Sequence, residues 1–157
     1  MQLAKAIRIL CDAGVEFVVI GGVAGAFHGS AIVTYDLDIC YRRTAENVRR
    51  LVAALAPFNP RPRGFPAGLP FLWDETNLRN SSILTLQTDI GEIDLLTELM
   101  GLGNFDNVIQ RSILVEAFER KFATLDLPAL IQTKGATGRE KDRAALAELQ
   151  SLLDSAE

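Results

Sequence analysis

The chain has 157 residues, of which 48% are hydrophobic and 23% charged, with a net charge of −4. These totals exclude a disordered polar chain and fit a single globular domain over residues 1–157 with its own core. The net charge argues against a protein whose whole surface grips nucleic acid. Two cysteines and one histidine leave no material for a disulfide framework or a Cys/His zinc site.

Leu3, Ala6, Ile7 and Leu10 share one face of a first helix that ends near Gly14. This segment mixes charged residues into the pattern and lacks the apolar core of a secretion signal, so the expected location is the cytoplasm, with Cys11 and Cys40 as reduced thiols. Val15 to Ile20 is a short, β-branched apolar run, as expected of a buried central strand. The apolar stretch Phe17 to Phe27 spans only eleven residues and is interrupted by glycine, too short to cross a bilayer. Gly21-Gly22 closes the strand, and Val23 to His28 predicts a short helix ended by Gly29. Thr34 to Tyr41 alternates, with Asp36 and Asp38 on one face and Leu37 and Ile39 on the other. Thr44 caps a helix whose stripe is Val48, Leu51, Val52 and Leu55.

Pro57 to Pro70 contains five prolines and two glycines and reads as a loop. Ile83 to Thr88 and Glu92 to Leu96 predict a hairpin turning at Asp89-Ile90-Gly91. Phe105 to Gln110 predicts a short helix, and Ile113 to Phe118 with Lys121 to Leu127 a second hairpin around Glu119-Arg120. Pro128 opens a helix as a first-turn proline, running to about Ala136 and broken at Gly138. A last helix runs from about Arg139 to Leu153. The class is α/β, a small mixed sheet with helices at both ends.

Charge is uneven along this order. Residues 39–73 carry six arginines (42, 43, 49, 50, 61 and 63) against Glu46, or +5, so the remainder carries −9. Either a local anionic partner or a solvated helix face plus a basic loop accounts for that.

The stretch around the glycine pair carries the chemistry. A dinucleotide-binding turn needs G-x-G-x-x-G, but counting from Gly21 the third and sixth positions are Val23 and Ala26, and from Gly22 they are Ala24 and Phe27. That reading fails. Asp36 and Asp38, side by side on one strand face, repel each other unless a cation sits between them or one holds a proton. A pair of carboxylates suits Mg²⁺, which takes such ligands together with phosphate oxygens, and a glycine pair at a helix N-terminus suits a phosphate.

A glycine pair, thirteen intervening residues and Asp-Leu-Asp resemble the signature of the nucleotidyltransferase superfamily. The resemblance implies the polymerase-beta-like fold and a third carboxylate from a later strand. Asp94 in Gly-Glu-Ile-Asp-Leu-Leu is the best match, and Glu92, on the same face, the second. Asp89 sits nearer the turn. Lys134 and Asp142 fall on core-facing stripes of the last two helices, where a salt bridge between them is the plain structural reading. Residues 130–149, LIQTKGATGREKDRAALAEL, also resemble the K…R-x-K-D segment of AbiEii-type toxin nucleotidyltransferases. That likeness implies Lys134 and Asp142 in the active site, with Arg139 and Lys141 as helpers at the nucleotide. The arginine often found two residues before the threonine of T-x-D-x-D is Ile32 here, and the long helical extension of full-size toxins does not appear in this sequence.

Together these residues imply transfer of a nucleoside monophosphate from a triphosphate to an acceptor hydroxyl on RNA or protein. Two Mg²⁺ ions would lie on Asp36, Asp38 and Asp94, and the triphosphate on Gly21, Gly22, Lys134 and Arg139. A toxin role would add an antitoxin partner; no membrane is involved. The alternative is a catalytically inactive module of the same fold that binds nucleotide or protein. His28 and Ser30 read as helix-end packing and turn-capping residues or as nucleotide contacts, and Trp73 with Arg61 and Arg63 as a hydrophobic anchor or a grip on RNA.

Overall fold

The computed structural model describes residues 1–156. Helix α1 (Leu3–Asp12) buries Ala6, Ile7 and Leu10 and leads into β1 (Phe17–Ile20), all four residues of which are buried. Helix α2 (Gly21–Phe27) follows with no intervening loop. The glycine pair is therefore the first turn of this helix, where the sequence pattern had placed it before the helix. Strand β2 (Asp36–Tyr41) buries Leu37 and Ile39 and leaves Asp36 and Asp38 half-buried on the other face. It starts two residues later than the alternation suggested. In α3 (Ala45–Leu55) the Thr44 side chain accepts from the Asn47 backbone N–H, as a capping residue should.

The proline-rich segment is not all loop. Within it Arg61–Pro62 forms a two-residue edge strand, β3, and beyond it Glu75–Arg79 forms α4, capped by Asp74. Both are too short to give a periodic signal, and a proline at a sheet edge forfeits no needed hydrogen bond. The hairpin β4 (Ile83–Thr88) and β5 (Gly91–Leu96) is present, then a small ribbon of β6 (Glu98–Leu99) and β7 (Gly103–Asn104), and α5 (Phe105–Gln110). Strands β8 (Ser112–Ala117) and β9 (Arg120–Leu125) form the second hairpin. Its turn lies one residue earlier than predicted, at Phe118-Glu119, both in left-handed conformation, which suits a two-residue hairpin loop. Helix α6 (Leu127–Thr137) is capped by Asp126 and ends on Gly138 at φ 63°. A 3₁₀ turn at Glu140–Asp142 delays α7 to Arg143–Ala156.

The seven-stranded sheet has the order β3-β4-β5-β2-β1-β9-β8. It is mixed: β1 pairs antiparallel with β2 and parallel with β9, while β2 pairs parallel with β5. Strand β2 thus lies between β1 and β5, and β5 between β2 and β4, so both are interior strands. The core runs through these strands and the inner faces of α1, α3 and α6. Among the described residues no helix is long and apolar enough to cross a membrane.

Candidate active site

The parallel register of β2 and β5 decides the geometry. Asp36 lies opposite Glu92, Asp38 opposite Asp94 and Cys40 opposite Leu96, and on the far side of β5 the partners are Gln87, Thr85 and Ile83. Cross-strand partners share a face. One face of the sheet therefore carries three successive rows. The first is polar (Asp36, Glu92, Gln87), the second holds Asp38, Asp94 and Thr85, and the third is apolar (Cys40, Leu96, Ile83). Asp36, Asp38 and Asp94 each bring a carboxylate oxygen within 4.8 Å of the others, so the three acids named from the sequence converge.

Burial, then the charges of Asp94 and Asp36, push the Asp38 carboxyl up to about 8, with Lys134 opposing them. Asp94 is raised as well, chiefly by burial, with the Arg63 guanidinium opposing. Among the described residues Asp38 Oδ1 is buried without a hydrogen-bond partner. A buried carboxylate oxygen with no donor, inside a trio of acids, is an arrangement that a hard divalent cation completes. The donor set is all oxygen, and the residues fit Mg²⁺.

Gly21 stands against Asp38. Its φ is +65°, and a Cβ there would run into the Asp38 carboxylate, so backbone conformation and space both call for glycine. At Gly22 a Cβ would lie 2.6 Å from Thr34 Oγ1. Thr34 thus packs against the backbone of the glycine turn, a contact that strand alternation alone does not reveal.

A cavity of about 850 Å³ opens beside these residues. Gly21 and Gly22 of α2 and Lys134 and Thr137 of α6 form one wall, with Arg139 beyond; Ile83, Leu96, Glu98 and Met100 form another, and Asp38 is the acid of the trio that lines it. Lys134 and Asp142 do not pair. Asp142, 5% exposed, instead accepts from Thr137 Oγ1 and Arg139 Nε, each at 2.8 Å. Burial works against its charge, but those donors outweigh it and hold the carboxyl below its ordinary range. Asp142 is absent from the cavity lining while both of its partners line it. Lys141 is exposed and does not line it either.

Arg63, carried in by β3, donates from Nη2 to Asp94 Oδ1 at 2.7 Å and lies 3.4 Å from Glu92. It engages the acids of the site and is not a free cation; the sequence offered only its membership of a basic loop. Glu92 is tied up in this contact. Asp89 accepts from Asn59 at 2.6 Å, away from the triad. His28 Nε2 is 2.8 Å from the Leu125 carbonyl, and Ser30 donates to Glu148 of α7, so both serve packing. Trp73 Nε1 donates to the Val52 carbonyl at 2.8 Å, which is the anchoring role. Burial pushes the Cys40 thiol up to about 12.

Set against known structures, the chain superposes on a lincosamide antibiotic adenylyltransferase, LnuA, in its lincomycin-bound form. The TM-score is 0.64 over 96% of each chain at 14% identity. A Thermotoga maritima protein assigned as a nucleotidyltransferase matches with a TM-score of 0.60 over 95% of this chain and 90% of its own, at 17% identity. The fold is that of the nucleotidyltransferases. At these identities the likeness is one of backbone. No protein-family model matches the sequence, and no curated protein matches it. In this nucleotidyltransferase fold Asp38, the glycine turn and Lys134 line one cavity, from elements spread between residues 21 and 134, and Asp36 and Asp94 lie beside Asp38.

Proposed function

We propose that the chain is an Mg²⁺-dependent nucleotidyltransferase that moves a nucleoside monophosphate from a triphosphate to an acceptor hydroxyl and releases pyrophosphate. One observation carries the reading: three carboxylates from two strands converge within 4.8 Å beside a cavity whose helical wall bears Lys134 and the glycine turn. Asp36, Asp38 and Asp94 would hold two ions. When bound, Mg²⁺ neutralises triphosphate charge and lowers the pKa of a coordinated hydroxyl.

The remaining work falls to the chain itself. Gly21 and Gly22 let backbone N–H groups approach the phosphates without a Cβ in the way. Lys134 and Arg139 offset the charge that builds on the departing pyrophosphate. Asp142 is a positioning residue in this scheme, since it acts through Arg139 and Thr137. The acceptor oxygen forms its bond to the α-phosphorus as the bond to the β-phosphate oxygen breaks, and the hydroxyl proton passes to solvent. The lincosamide enzyme of the same fold gives precedent for a small-molecule acceptor. The AbiEii-type likeness, a toxin role and an antitoxin partner rest on the Leu130–Leu149 segment and belong to this proposal, as does cytoplasmic placement.

The test is calorimetric titration with each of the four ribonucleoside triphosphates, in Mg²⁺ and in EDTA, on wild type and Asp38→Asn. Metal-dependent binding lost in the variant is the expected result. Binding that ignores both metal and variant would make the chain a catalytically inactive binding module of the same fold.

A further inference from the structure

Beyond the carboxylate row the sheet face changes character, and that change bears on the acceptor. The third row, Cys40, Leu96 and Ile83, has no charge. Ile83 is 57% exposed and Met100, on the adjoining ribbon, 63% exposed, yet both line the cavity beside Leu96. Large apolar side chains left open at a cavity wall mark a surface that gains by being covered.

Glu98 is the single charge on that wall. It is exposed, and among the described residues it enters no ion pair. The cavity's cations, Lys134 and Arg139, belong to the helical wall, where a triphosphate would engage them. Polyanion binding needs cations on the surface it covers, and this wall offers the opposite sign. The arginine-rich segment does not supply them either. Arg42, Arg49, Arg50 and Arg63 are each paired with acids, and Arg43 and Arg61, which have no acid partner among the described residues, do not line the cavity. The ribbon is also fixed in place: Gln132 of α6 donates to the Gly101 carbonyl at 2.6 Å, and a Cβ on Gly101 would lie 2.6 Å from that of Ala136.

We propose that the acceptor is a small amphiphilic alcohol bearing a basic nitrogen, with its apolar part on Ile83, Leu96 and Met100 and its cation at Glu98. This rests on the nucleotidyl-transfer reading, which places the hydroxyl at the carboxylate row next to that wall. A nucleic-acid acceptor is the competing class.

The probes are three alcohols on one phenylpropanol frame: 3-amino-1-phenylpropan-1-ol, 1-phenylpropan-1-ol and 3-hydroxy-3-phenylpropanoate. Their binding is followed by NMR titration with and without Mg²⁺ and α,β-methylene ATP, whose own binding is measured first on the same sample. The amine should bind about 3- to 5-fold more tightly than the neutral alcohol, the range of one partly exposed charge pair, and the carboxylate most weakly. Glu98→Gln should erase the amine's advantage, and Met100→Ser should weaken all three. Equal binding of the three, an order unchanged in Glu98→Gln, no binding of any, or preference for a tRNA over the amine would overturn the proposal. Absent metal-dependent triphosphate binding would instead strike the nucleotidyl-transfer reading, because the charge order is read without nucleotide as well.

Discussion

Asp38 is an acid in a place that disfavours its charge. Its carboxyl is pushed up to about 8, whereas an unfolded aspartate titrates near 3.9. Between those values the native state holds a proton that the unfolded state has released, so stability of the metal-free protein falls as pH rises through that window and stays low above it. Asp38→Asn removes the conflict. The variant should melt a few degrees higher than wild type at pH 8.5 in EDTA, the gap should close toward pH 4, and nucleotidyl transfer should be lost at every pH. Calorimetric scans at the two pH values and a labelled-triphosphate assay check the two halves separately. Gly21→Ala should cost about 1–3 kcal/mol of stability, because a left-handed residue acquires a Cβ that meets Asp38; urea unfolding reads it. Asp142 separates a reacting residue from a positioning one. Asp142→Asn should raise the KM for triphosphate while leaving kcat within about 3-fold, as expected when binding is lost and chemistry is not. A kcat loss matching that of Asp38→Asn would put Asp142 among the reacting groups.

The elements that build the site are held by a few cross-connections. Helix α7 closes over the α2–β2 loop through Glu148, which accepts from the Ala31 N–H at 2.9 Å and from Ser30. The Ser30 hydroxyl and that N–H hold the Glu148 carboxyl below its ordinary range. The ribbon of β6 and β7 is tied to α6 through Gln132 and Gly101. Gln132→Ala should loosen the ribbon and free its backbone amides, giving faster hydrogen exchange at residues 98–104 with exchange in the sheet strands unchanged. Long, periodic elements were readable from sequence: α1, α3 and α6 with its first-turn proline and closing glycine, and both hairpins. β3 and α4 were not, because two and five residues give no period to detect. The glycine pair was read as the end of a strand, and only packing against Asp38 and Thr34 shows why the helix begins on it.

On the scale of the whole molecule, a local charge excess did not become a basic surface. Much of the +5 segment is paired in three dimensions: Arg42 reaches Glu16 and Asp106, Arg49 reaches Glu75, Arg50 reaches Glu46 and Arg63 reaches Asp94, while Arg43 and Arg61 have no acid partner among the described residues. Binding to a single-stranded RNA should therefore be weak, with Kd above about 10⁻⁴ M at 0.15 M salt, the weak end of nonspecific affinity; fluorescence anisotropy checks it. The α/β class and the pair of aspartates on one strand face were legible along the chain, since each follows from local spacing. Resemblance also pointed to Asp94 and Lys134. That β2 and β5 run parallel in the register that sets Asp38 against Asp94 is visible in the assembled sheet alone. The folded chain also shows Arg63 spent on those acids, Asp142 turned to Arg139 rather than Lys134, and an apolar row with Glu98 beyond the carboxylates. Alternation and helical period fix which way a side chain points along its own element. Which side chain it meets depends on strand order and register, set by burial summed over the whole sheet.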